Sequence, residues 1–167
     1  MKNLITIGLP SKGRLKEGSV NFFDRNNLKL TINGGERNYF AIVKNFPNIK
    51  IIYLHAKEII QRIGDGTLDM GISGLDLLNE SASNLRQKIE VKKKLDFGSA
   101  NVVVAIPDDW IDVQTVADLE EVSFDFRDKK NTRLRVATKY PNLTNNFLVS
   151  KGVTQYKLVP SLGATET

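Results

Sequence analysis

Four short segments carry residue types that can do chemistry. Ser11-Lys12-Gly13-Arg14 sets two cations, a hydroxyl and a glycine between a strand pattern and a helix pattern. Free backbone N–H groups and the helix dipole favour an anion at such a junction, and a polyphosphate suits it. An ordinary loop with surface cations has the same local pattern, and the glycine spacing of a Walker loop is missing. Asp69-Met70-Gly71-Ile72-Ser73-Gly74-Leu75-Asp76 brackets a strand end with two carboxylates and two glycines that let a ligand approach the backbone. Asp69 can accept hydrogen bonds from hydroxyls; the segment also reads as a tight turn with Ser73 or Asp76 near a helix N-terminus. Leu162-Gly163-Ala164-Thr165-Glu166 has the composition of a phosphate-facing nest, in which Glu166 could orient an amine or a metal-bound water. A frayed terminus is its plain alternative. His55 lies between a strand and a helix, where it either faces a cleft or serves structure, and no Ser/His/Asp set can be assembled around it.

Composition narrows these options. The chain has 167 residues, 41% hydrophobic and 26% charged, as expected of a soluble globular protein able to bury a core. It has no cysteine and one histidine, which excludes disulfides, thiolate nucleophiles, thiolate metal sites and multi-histidine metal sites. The net charge of +5 is spread over both halves, a poor footprint for duplex nucleic acid but compatible with phosphate-bearing small molecules. The opening apolar run is too short for a secretory signal, and no stretch approaches membrane-spanning length. The expectation is a cytoplasmic protein that binds neither nucleic acid nor membrane.

These segments must be positioned by strands and helices. Leu4 to Leu9 predicts a buried strand, and Pro10 to Arg14 breaks it before a helical pattern containing Leu15, Val20, Phe22 and Phe23. Leu28 to Ile32 predicts a short strand that ends at Asn33-Gly34-Gly35, which delivers Arg37 into or beside a loop. Strand Ile49 to Leu54 precedes a helix through Ala56, Ile59, Ile60 and Ile63, and strand Leu68 to Ile72 precedes a helix opening at Ser73. In the second half, Val102 to Ile106 is a β-branched run, and Asp108 to Asp125 holds seven acids with no Lys or Arg. Strand Leu134 to Thr138, a helix from Pro141 to about Ser150 and strand Thr154 to Val159 follow. Alternating strands and helices imply an α/β fold with a parallel sheet. The pattern divides into two lobes, 1–98 and 99–167, and a cleft between such lobes is a common ligand site.

Taken in order, the segments resemble the ATP phosphoribosyltransferase family. The resemblance rests on Leu9 to Leu15, Asp69 to Leu78, Leu95 to Pro107, and Arg135 to Thr144 with Ser161 to Glu166, so it spans essentially the whole chain. It implies a two-lobed fold like a type II periplasmic binding protein. It also implies the first step of histidine biosynthesis, in which adenine N1 of ATP attacks the anomeric carbon of phosphoribosyl pyrophosphate. Pyrophosphate leaves, and Mg2+ rides on the phosphates. By that resemblance Lys12, Arg14, Arg37 and Glu166 are the catalytic candidates. Ser11, Gly13, His55, Asp69, Gly74, Asp76, Lys139, Tyr140, Gly163, Ala164 and Thr165 are the substrate-binding ones. Some family members carry Arg where His55 stands. The family continues past Glu166 with a strand and a Thr/Gly-rich loop for the ribose 5-phosphate, so the resemblance implies a truncated second lobe and little or no activity in this chain. Its style is that of the short form, which forms homo-oligomers and works with a histidyl-tRNA-synthetase-like regulatory subunit. A non-enzymatic small-molecule or nucleotide-binding module of the same fold is the alternative.

Overall fold

The computed structural model describes residues 4–32 and 39–161. The chain divides into two compact units, Met1–Ala100 and Asn101–Thr167, taken separately below.

Unit 1 opens with strand β1 (Ile5–Pro10), followed by helix α1 (Gly13–Arg25), strands β2 (Leu30–Thr31), β3 (Phe40–Val43) and β4 (Phe46–Leu54), and helix α2 (Ala56–Gly64). Strand β5 (Met70–Gly71) and the short helices α3 (Leu75–Glu80) and α4 (Ser83–Arg86) complete it. The five strands form one sheet in the order β2-β3-β4-β1-β5. β1 pairs in parallel with β4 from Ile5↔Ile49 to Pro10↔Leu54, and in parallel with β5 at Ile7↔Met70 and Gly8↔Gly71. β2, β3 and β4 pair antiparallel, so the sheet is mixed rather than the parallel one expected. The difference comes from the β3–β4 hairpin, whose turn residue Asn45 adopts a left-handed φ of 72°. Asn tolerates that conformation better than most residues.

Side chains alternate across the strands. Ile7, Leu9, Ala41, Val43, Ile51 and Tyr53 face the side on which Phe23 of α1 completes the buried cluster. Gly8 and Gly71 face the other side, where Ile59 of α2 packs directly over them. Helices α1 and α2 therefore cover opposite faces of the sheet.

Unit 2 contains helix α5 (Val116–Lys130), strand β6 (Leu134–Thr138), helix α6 (Pro141–Ser150) and strand β7 (Tyr156–Pro160). β6 and β7 are parallel, in register from Leu134↔Tyr156 to Thr138↔Pro160. Leu119, Leu134, Leu148 and Val153 form the core, with Trp110 and Phe126 packed against it. Thr115 and Asp118 close a reciprocal capping box at the start of α5, and left-handed Asn131 ends that helix. Pro141 occupies the first turn of α6, where its missing N–H costs nothing.

The run Val102 to Ile106 departs from its predicted strand. It pairs with nothing among the described residues, and Val102, Val103, Val104 and Ile106 are exposed. β-propensity measures fit to a neighbouring pleated surface, and this run has no such neighbour among the described residues. No helix among the described residues is long and apolar enough to cross a membrane.

Candidate functional site

Adjacent parallel strands β1 and β4 send their helices to opposite faces of the sheet, and open α/β sheets usually take a ligand in the crevice beyond the carboxyl ends of two such strands. The Ser11 N–H donates to the Leu54 carbonyl at 2.8 Å and ties the two strand ends together. The chain then turns through Lys12, the N-cap of α1, into Gly13 at φ +69°. A side chain there would be strained by the backbone alone, since a Cβ on Gly13 would meet no atom within 4 Å. The backbone at Gly13 is thus open to a ligand.

The N-terminus of α1 has neither a side-chain cap nor an acid in its first turn. Helix N-termini leave N–H groups unsatisfied, and most sequences supply a Ser, Thr, Asp or Asn to serve them. Here Lys12 and Arg14, both exposed, flank them with positive charge. Two cations beside uncapped N–H groups can bind a multiply charged anion by charge-assisted hydrogen bonds.

The neighbouring turn is built differently. His55 is the N-cap of α2, and its Nδ1 accepts from the Lys57 N–H at a long 3.4 Å. The imidazole thus helps cap the helix at the β4 end of the same crevice. Exposed Lys57 adds a further cation that sequence reasoning passed over. Its signal was its place in the first turn of a helix that directly follows a strand.

At the third strand end, the Ser73 hydroxyl donates to the Ala56 carbonyl at 2.8 Å, pinning the β5–α3 turn to the start of α2. Gly74 is the N-cap of α3 and Asp76 lies in its first turn, where a carboxylate complements the helix dipole. Asp69 is placed elsewhere. Its Oδ2 accepts from the Thr6 N–H at 2.7 Å, and its own N–H donates to the Thr6 carbonyl at 3.0 Å. That is the amino end of β1, away from the Ser11 to Arg14 turn, so the structure does not bring Asp69 together with those residues.

Unit 2 repeats the strand–turn–helix arrangement. The Tyr140 N–H donates to Thr138 Oγ1 at 3.0 Å, and Thr138 Oγ1 lies 2.9 Å from Thr144 Oγ1. The Ser161 N–H donates to the Thr138 carbonyl at 3.1 Å, so the ends of β6 and β7 stay together beyond the ladder. Lys139 is exposed on this turn, and Tyr140 is the N-cap of α6. Arg37, Gly163, Ala164, Thr165 and Glu166 lie outside the described residues.

By its fold the chain is a mixed α/β protein whose strand ends open into glycine- and cation-bearing turns. The model of the HisG family, described as ATP phosphoribosyltransferase, matches residues 55–167. A protein of Rhodopseudomonas palustris named ATP phosphoribosyltransferase is 46% identical over 166 residues, which is 99% of this chain and 51% of that protein. One of Mesorhizobium japonicum with the same name is 45% identical over 164 residues, 98% of this chain and 71% of its own length. A solved structure titled ATP phosphoribosyl transferase (HisG:HisZ) complex from Thermotoga maritima aligns at a TM-score of 0.56 and 20% identity, covering 97% of this chain and 66% of its own. The chain belongs to the ATP phosphoribosyltransferase family. It spans about half the length of several curated relatives it matches.

Proposed function

We propose that this chain is the phosphate-gripping part of an ATP phosphoribosyltransferase that catalyses the first step of histidine biosynthesis. The observation that supports the reading most is the uncapped N-terminus of α1 flanked by Lys12 and Arg14, beyond the carboxyl ends of β1 and β4, in a chain of this family. In the proposed reaction the N1–C1 bond forms between adenine and the ribose while the bond from C1 to the pyrophosphate oxygen breaks. No protein nucleophile is needed. The protein's task is to position two polyanions and to neutralise the charge that gathers on the leaving pyrophosphate.

Lys12, Arg14 and the N–H groups of the Ser11 to Leu15 turn would hold phosphate oxygens, with Arg37 as a further cation. His55 and Lys57 would border the same crevice from α2. Gly74 and Asp76 would shape its wall. Lys139, Tyr140 and the Gly163-Ala164-Thr165-Glu166 segment would serve the substrates from a second lobe, in a two-lobed arrangement like that of type II periplasmic binding proteins. Asp69 keeps a structural part in this reading, because its carboxylate is engaged by Thr6. Mg2+ would enter on the substrates' phosphates. Among the described residues no group of three His, Cys, Asp or Glu side chains could hold a metal ion.

The whole enzyme would be cytoplasmic and oligomeric, with a histidyl-tRNA-synthetase-like regulatory subunit. The Thermotoga maritima complex named above pairs HisG with HisZ. Because the curated relatives are longer, little or no turnover is expected from these 167 residues alone.

Titration calorimetry with ATP and with inorganic pyrophosphate tests the reading. Arg14→Ala should weaken pyrophosphate binding about tenfold or more, the loss expected for one charge-assisted contact, and leave thermal stability unchanged. Equal affinity in wild type and Arg14→Ala would remove the turn from the site. Release of pyrophosphate from phosphoribosyl pyrophosphate at an ordinary enzymatic rate would overturn the expectation that this chain is nearly inactive.

A further inference from the structure

The segment that follows Ile89 has no regular secondary structure, yet it does not leave unit 1 directly. It is laid along one flank of α1, against the partly buried Leu15, Gly18 and Phe22, and its last contacts step towards the amino end of that helix. Near the carboxyl end, the Lys93 ammonium stands 5.8 Å from the centre of the Phe22 ring, and Asp96 faces Arg25 at 3.8 Å. Further along, the Phe97 ring sits against Gly18, so closely that a Cβ on Gly18 would collide with it. Gly98 then reaches the first turn of α1. It adopts a φ of +72°, and a Cβ on it would stand 2.6 Å from Leu15 Cδ2. Unit 1 ends two residues later, at Ala100.

The ion pair and the cation–ring contact are exposed and weak. The Phe97 contact is of another kind. Glycine in the middle of a helix is unfavourable relative to alanine, and this helix accepts it at the one position where an aromatic ring needs the room. Phe97 is half-buried there, and Gly18 beneath it lies one helical turn after Arg14.

We infer that Phe97 is a positioning residue: seated on Gly18, it fixes the first turns of α1 and thereby the geometry of the Ser11 to Arg14 turn. The inference rests on the anion-binding reading of that turn. Phe97 touches none of the anion-binding groups and acts through the helix. An anion held at the N-terminus of α1 and the strap held along its side then stabilise one another, as linkage requires.

Hydrogen exchange and pyrophosphate titration of the 167-residue chain test this with three variants. Phe97→Ala empties the slot, Gly18→Ala ejects the ring while improving helix propensity, and Phe97→Leu keeps an apolar filler. In the absence of ligand, Phe97→Ala and Gly18→Ala should speed exchange of the hydrogen-bonded α1 amides from Lys16 to Phe22 and leave the β1 and β4 amides unchanged. Their affinity for inorganic pyrophosphate should fall about tenfold, within the usual range of coupling, and Phe97→Leu should restore most of it. Unchanged exchange at α1, or unchanged affinity in Gly18→Ala, would overturn the assignment. Equal acceleration throughout the sheet would also overturn it, since Phe97 would then be ordinary core. If wild type fails to bind pyrophosphate, the anion-site reading falls with it, and the ligand-free exchange still decides whether the strap orders α1.

Discussion

The two units place similar turns on unequal foundations. In unit 1, β1 is flanked by β4 and β5, α1 and α2 cover opposite faces, and the loop that follows β1 rests on a buried strand. In unit 2, β6 and β7 form the whole described sheet, with Arg135 and Lys157 side by side and both exposed. Like charges directly across a ladder repel, and a two-stranded sheet depends on its helices for stability. A cation-bearing turn after a strand is thus easy to write into a sequence. What separates the two regions is how many neighbours hold the strand beneath it.

The comparison would break most visibly in the cores. Leu148 and Ile51 are almost wholly buried, and truncating either to alanine should cost about 2–5 kcal/mol. Leu148→Ala is expected to abolish protection of the β6 and β7 amides while the β1 amides stay protected. Ile51→Ala should leave unit 1 folded with a lower urea midpoint. A single shared transition in both variants would show that the units do not differ in reserve.

A smaller effect sharpens the picture of unit 2. Thr115→Ala removes one half of the capping box of α5 and should cost about 1 kcal/mol. Its partner carries a pH signature. The Asp118 carboxylate accepts from the Thr115 hydroxyl, the Thr115 N–H and the Gln114 N–H, which together hold its pKa below the ordinary Asp value. The folded state then binds a proton less readily than the unfolded one. Its stabilising contribution is complete above the ordinary Asp range and is lost as pH falls through the lowered folded value. Melting curves of unit 2 should therefore show less acid sensitivity in Thr115→Ala than in wild type. Smallest of all, Lys129→Ala breaks only an exposed i,i+4 pair with Asp125 and should shift stability by less than about 0.5 kcal/mol.

Much of this arrangement is written locally. The apolar run before Pro10, the periodic residues of α1 and α2 and the Pro141 start of α6 all belong to short-range patterns, and each is where the spacing predicts it. The β3–β4 hairpin was not legible, because Pro47 reads as a strand breaker. It is accommodated where the ladder shifts register between Ile42 and Val43. Val102 to Ile106 misleads in the opposite sense, since residue type announces a strand that only a neighbour could complete. At the site, the Ser11 to Arg14 turn was visible from its strand–glycine–helix context. The engagement of Asp69 by Thr6 was not, since it depends on how β5 lies along β1, a contact across 63 residues.

That separation has a consequence in time. β1 finds β4 only after a loop of more than forty residues closes, as the pairing Ile5↔Ile49 shows, whereas β6 meets β7 about half as far along the chain, at Leu134↔Tyr156. Halving a loop lowers its closure cost by roughly 0.6 kcal/mol, and local contacts speed folding. The expected order of assembly runs against the order of robustness. In pulse-labelled refolding the β6–β7 ladder gains protection before the β1–β4 ladder, so the less supported half of the molecule is the earlier to form.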